Sequence, residues 1–151
     1  MSATTTPTVA PSLPLLGASR EVVIPRDGDR DLGFKGWRLS QVKDCQQVQS
    51  GFDRCTEVSV YLTEAKKLVT HVRRWNERGG KVEREEHVVG VHGVGRDKMG
   101  RLYTLPDAVT QAIEWLKKDN GNQLGTLSKR AWLEACRLCS ELKGQETERI
   151  D

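Results

Sequence analysis

The chain contains no apolar run approaching the roughly 18–20 residues that a membrane-spanning helix requires, which excludes helical passage through a bilayer. No Lys or Arg precedes Arg20, and Pro11 and Pro14 interrupt the apolar stretch 9–16, so the charged and greasy parts of a secretory signal are both missing. Histidines number three, and the glycine-rich run Gly90, Gly93, Gly95 and Gly100 lacks the Gly-Lys-Ser/Thr ending of a phosphate-cradling loop. A nucleotide site is therefore disfavoured, and the run reads as a mobile loop. Neither sign of charge dominates, since the net charge is +3. A polyanionic partner is permitted without being demanded.

What is present is the composition of one soluble domain: 151 residues, 36% hydrophobic and 30% charged, with a basic middle. Between Arg54 and Arg101 eleven Lys and Arg stand against seven Asp and Glu. Residues 1–18, rich in Thr, Ser, Ala and Pro, read as a disordered leader. Residues 19–144 read as a single α+β domain, and 145–151 as a flexible charged tail.

Organisation centres on 56–75. Val58, Val60 and Leu62, then Leu68, Thr70 and Val72, alternate with other residues at the two-residue period of half-buried strands, separated by a short polar break. That pattern predicts a hairpin with those six side chains facing the core. Its opposite face carries Glu57, Ser59, Tyr61, Val69, His71, Arg73 and Trp75. Further strands are expected at 21–24, ended by Pro25, at 32–39 and at 81–91, where Glu83 to Glu86 form a charged edge. The intervening Asp27, Asp29 and Asp31 have the alternate spacing that opens a calcium loop, but Leu32 and Arg38 stand at its glycine and closing-carboxylate positions, so a solvated turn is preferred. Stretch 40–51 reads as a polar loop with room for a helical turn.

The last third is helical. Leu105, Ala108, Val109, Ala112, Ile113 and Leu116 make one apolar stripe, opened by Pro106 and Asp107 and closed by Asn120 and Gly121. A second stripe, from Ala131 and Trp132 to Leu142, predicts a helix running to about Lys143. The fold expected is an antiparallel sheet of about four to five strands in the N-terminal two-thirds, packed with two C-terminal helices.

Candidate chemistry is sparse. Cys45, Cys55, Cys136 and Cys139 could supply four thiolates to zinc, yet nine residues separate the first pair, and the second shares the buried side of a helix. Plain core cysteines, reduced in a cytoplasmic setting, are the preferred reading. No cofactor is expected, and His87 and His92, five apart, point to opposite faces of a strand. Cations beside aromatic rings offer a better lead: Lys66, Lys67, His71, Arg73, Arg74, Trp75, Arg78 and Lys81 resemble the mix with which sheet proteins hold single-stranded nucleic acid. A non-enzymatic binding module is expected, nucleic-acid-associated or regulatory through this face, with a protein-interaction adaptor as alternative and an enzyme third. The partner is then nucleic acid or another protein, not a membrane.

Three further stretches, Gly36 to Leu39, Val60 to Thr63 leading into Lys67 to Val72, and Glu148 to Asp151, resemble the small bacterial proteins named EXLDI for their C-terminal signature, with Ile150 standing where that signature has Leu. The resemblance implies an α+β fold and a bacterial cytoplasmic setting. It carries over no catalytic residue.

Overall fold

The computed structural model describes residues 16–143, so the leader up to residue 15, the tail 145–151 and the Glu148-to-Asp151 motif lie outside the described residues. Five strands follow in order: β1 (Arg20–Ile24), β2 (Leu32–Gln49), β3 (Phe52–Thr63), β4 (Leu68–Arg78) and β5 (Lys81–His92). Each pairs antiparallel with the next, giving one five-stranded meander, and helices α1 (Leu105–Asp119), α2 (Thr126–Leu138) and the short α3 (Ser140–Lys143) complete an α+β fold. No described helix is long and apolar enough to cross a membrane.

The alternation in β3 and β4 does what its period implies. Val58 pairs with Val72, Val60 with Thr70 and Leu62 with Leu68, and all six are buried on the side that the helices cover. The helical stripes meet them there: Ala108, Val109, Ala112 and Leu116 from α1, with Ala131, Trp132, Ala135 and Cys136 from α2, share one core with Leu39 and Val42 of β2. Each fully buried Val or Leu of this set contributes about 1.5–3 kcal/mol relative to exposure. Helix α1 lies over β4 and β5, and α2 lies over β2 and β3.

Three expectations need correction. Stretch 40–51 is neither loop nor helix, because β2 continues through it to Gln49. Its apolar residues recur every third position since a bulge between Arg38 and Ser40 lets Leu39 and Val42 share the helical side, while Cys45 pairs with Cys55 on the other. The first part of the glycine-rich run, Gly90 and Gly93, is built into the packing, whereas Gly95 and Gly100 lie in the open loop that follows. Gly90 passes beneath Trp115, and Gly93 donates its N–H to Gln111 Oε1 at 2.8 Å while its carbonyl accepts from Lys67 Nζ at 2.7 Å. Finally, the last helix breaks at Cys139, whose backbone is extended, and resumes as α3, leaving Cys139 and Leu142 fully buried.

The sheet also curls toward its bare side. Ile24, Tyr61 and Val69 form a second small core there with Val22, Leu32, Phe34 and Val89. The β1–β2 corner reaches across to β5, where Asp27 N–H donates to the His87 carbonyl and His87 N–H donates to the Asp27 carboxylate. Leu16 packs on the main core, and the Gly17 carbonyl accepts the Trp37 indole N–H at 3.0 Å.

Candidate functional site

The eight residues grouped above as a nucleic-acid face do not share a surface. Trp75 and Arg73 lie on the bare side of β4, whereas Arg74 lies on the helical side and pairs with Asp119 at 2.7 Å. Trp75 is only 3% exposed. Arg73 covers its ring at 4.0 Å from the centroid, Lys43 Nζ stands 5.9 Å from it, and its indole N–H donates to Glu77 at 2.9 Å. A ring covered in this way has no free face for a base. Arg78 sits over Phe52 and pairs with Glu83, and Lys81 is exposed beside the β4–β5 turn. Lys66 and Lys67 occupy the β3–β4 turn at the far end of the sheet. His71 is buried. The physical reason is parity: consecutive strand residues point to opposite faces, so neighbours in sequence do not make a patch.

On the bare side the structure assembles two clusters instead. In the first, His71 and His87 stack with ring centroids 5.1 Å apart, and His71 Nε2 lies 2.9 Å from His87 Nδ1. A carboxylate accepts, so His87 Nε2–H donates to Glu85 Oε2 at 3.0 Å, and the contact between His71 Nε2 and His87 Nδ1 holds one proton between the two rings. Arg73 also pairs with Glu85. Burial, reinforced by the charges of His87 and Arg73 and opposed by Glu85, lowers the His71 pKa to about 4. His92, on the helical side, is likewise lowered to about 4 by burial and meets Thr70 Oγ1 at 2.8 Å. Both imidazoles are neutral at ordinary pH. The His87 edge opens on a hollow of about 280 Å³ with Arg26, Asp27 and Asp29. Both ring nitrogens of His87 are already hydrogen-bonded, and the described lining of that hollow carries no hydroxyl or thiol to activate.

The second cluster is at Cys45 and Cys55, which are disulfide-bonded directly across β2 and β3. This corrects the expectation of four reduced thiols. Cys136 and Cys139 are buried in the main core on the opposite side of the sheet, so the four sulfurs do not converge. The Glu77 carboxylate, however, lies within 4.8 Å of both Cys45 and Cys55 sulfurs. Sequence reasoning missed Glu77 altogether. Its placement follows only when β2 is paired with β3, setting Cys45 opposite Cys55, and β3 with β4, setting Asp53 opposite Glu77.

Two further exposed features stand out among the described residues. A polar groove of about 370 Å³ separates the β2–β4 ribbon from the α1–α2 connection, and Arg54 and Arg74 there are matched by Asp44 and Asp119. It favours neither sign of charge. The loop between β5 and α1 is different: Met99 is 79% exposed and Leu102 61%, with Val94 also exposed, among Arg96, Lys98 and Arg101. That loop is held in shape by Asp97, whose carboxylate accepts the Met99 and Arg101 N–H groups, and by a bridge between Arg96 and Leu102. Comparison of the chain with protein-family models, with curated proteins and with solved structures yields no match.

Proposed function

We propose that the protein is a non-catalytic binding module that engages another protein through the β5–α1 loop, the partner presenting apolar side chains ringed by acidic ones. The observation that carries this reading is the exposure of Met99 at the tip of an internally hydrogen-bonded loop. An apolar knob held in one conformation loses little further entropy on docking, and a Met fits varied pockets. Arg96, Lys98 and Arg101 supply the positive rim that an acidic partner complements, offset within the loop only by Asp97.

Nucleic acid is the second reading, and it now draws on Lys66 and Lys67 of the original set together with the cations of the β5–α1 loop. Lys66 and Lys67 lie at the same end of the sheet as this loop, tied to it through Lys67 and Gly93, so that end presents a net positive charge. The cytoplasmic, bacterial setting implied by the EXLDI resemblance suits either partner.

One set of variants separates the readings. A protein that copurifies with the wild type is identified, re-expressed and titrated against Met99→Ser/Leu102→Ser, while the same variant is run on heparin and DNA columns across a salt gradient. A loss of at least tenfold in affinity for the purified partner, with column retention unchanged, supports the protein-binding loop. Undiminished affinity overturns it. Strong DNA retention whose salt slope flattens in Lys66→Ala/Lys67→Ala/Lys98→Ala transfers the function to nucleic acid.

A further inference from the structure

We propose that Cys45, Cys55 and Glu77 form a redox-gated site for a thiophilic divalent cation of the zinc class, closed while the disulfide stands and opened when a dithiol reductant cleaves it. The proposal is independent of the loop argued above.

The geometry supplies the ligands. The two sulfurs and a Glu77 carboxylate oxygen all lie within 4.8 Å of one another. Tetrahedral zinc with metal–sulfur bonds of about 2.3 Å and metal–oxygen bonds of about 2.0–2.2 Å needs ligand separations of about 3.5–3.8 Å. After cleavage the sulfurs must part to that distance, and the carboxylate must close in by at most about 1.3 Å. Both are side-chain movements on strands whose register fixes Cys45 opposite Cys55. Cys55 is 0% exposed and Cys45 is exposed, so one coordination position faces solvent. Water, or a ligand from outside, completes the tetrahedron.

The surroundings suit a cation held by thiolates. The Trp75 indole N–H donates to Glu77, which orients the carboxylate as outer partners of metal ligands do. The cross-strand row toward the hairpin tip, Gln47, Asp53 and Glu77, carries two negative charges. On the other side the row Lys43, Glu57 and Arg73 is positive by one, but Arg73 is drawn to Glu85 and to the Trp75 ring. The set is soft enough, with two sulfurs, to discriminate against magnesium and calcium.

The chemistry balances in two steps. A dithiol gives two electrons and two protons to the Cys45–Cys55 bond by thiol–disulfide exchange, becoming a disulfide itself and leaving two thiols. The cation then replaces both thiol protons, which pass to solvent, and the site holds two thiolates and one carboxylate. A disulfide oxidant reverses the sequence, re-forming the sulfur–sulfur bond and expelling the ion. In a reducing compartment the metal form is favoured, and in an oxidising one the disulfide.

Cobalt(II) titration of the full chain, oxidised and then reduced under nitrogen with the reductant removed, tests this directly. The reduced protein should gain a thiolate-to-cobalt charge-transfer band saturating at one equivalent, displaced by zinc, and the oxidised protein none. Glu77→Gln should weaken zinc at least tenfold in competition with a chromogenic chelator, and Trp75→Phe about tenfold through loss of its hydrogen bond. Bound zinc should also protect Cys45 and Cys55 from alkylation, read by peptide mass. A reduced protein with no band, or a band that survives in Cys45→Ser/Cys55→Ser, overturns the proposal. Cys45→Ser alone, at an exposed position, keeps the test valid should the double variant unfold, since one thiolate must bind more than tenfold worse than two.

Discussion

Gly90 lies so close beneath Trp115 that a Cβ built on it would stand 2.6 Å from the indole Nε1 and 2.9 Å from His92 Cε1. Gly90→Ala should therefore cost about 1–3 kcal/mol by overpacking, read as a lower urea midpoint at unchanged slope. Gly33→Ala is the control, because its Cβ would meet only the Val22 carbonyl at 3.9 Å, and it should change stability by less than about 1 kcal/mol. Histidine burial makes a second residue-scale prediction. His71 and His92 fall to about 4 in the fold from an ordinary 6.5, so between those values the unfolded chain binds protons that the native one refuses. Their contribution is intact above pH 6.5 and is lost as pH drops toward 4, on the order of 2–3 kcal/mol for each ring. Urea unfolding from pH 4 to 8 should show this decline. Its difference from His92→Gln isolates one imidazole from the carboxylates, and parallel curves for the two proteins would refute the assignment. At this scale Gly90 was visible in the sequence only as a glycine. Its partner, Trp115, sits 25 positions away and is brought over it by helix packing.

Among the described elements, the β2–β3 hairpin is braced by a covalent link as well as by its ladder of paired residues. The Cys45–Cys55 bond closes a loop with a sequence separation of 10, which by chain entropy corresponds to about 2.5–3 kcal/mol. Reduction without metal should lower unfolding free energy by about that amount and should speed amide exchange beyond Cys45, while the helices keep their protection. An unchanged midpoint would mean that the ribbon holds itself together. The hairpin also shows why part of the fold was legible. Val58 to Val72 alternate cleanly, and the helical stripes of α1 and α2 repeat as helices must, so those elements and their buried sides could be read directly. In β2 a bulge shifts the alternation by one residue at Leu39, and a glutamine-rich end carries no greasy face because no helix covers it. The same parity decided the site. Arg73 and Trp75 belong together and Arg74 does not, yet all three look like one basic, aromatic cluster when taken as consecutive letters.

For the whole molecule, the two cores are unequal, and the inequality sets the order in which the structure should open. The main core joins three strands to both long helices, whereas the second buries Ile24, Tyr61 and Val69 under the curl. Strand β1 has only five residues and a single partner strand. Its far end is held by the reciprocal bonds between Asp27 and His87, which tie the β1–β2 corner to β5. Such a short element with a small apolar anchor belongs to the low-stability end of a fold. Native-state hydrogen exchange in mild denaturant should thus show the β1 amides and the His87 amide opening at lower free energy than those of Val60 and Val72. Asp27→Ala should remove the His87 protection first, since it deletes the acceptor of that N–H. Ile24→Ala, which empties the small core, should destabilise by about 2–4 kcal/mol and accelerate β1 exchange accordingly. Equal protection of β1 and the β3–β4 pair would show the curl to be one cooperative body with the sheet. Unequal protection gives the bare face, where Arg73, His87 and Glu85 sit beside the cysteine pair, a corner that can lift without the helical layer unfolding.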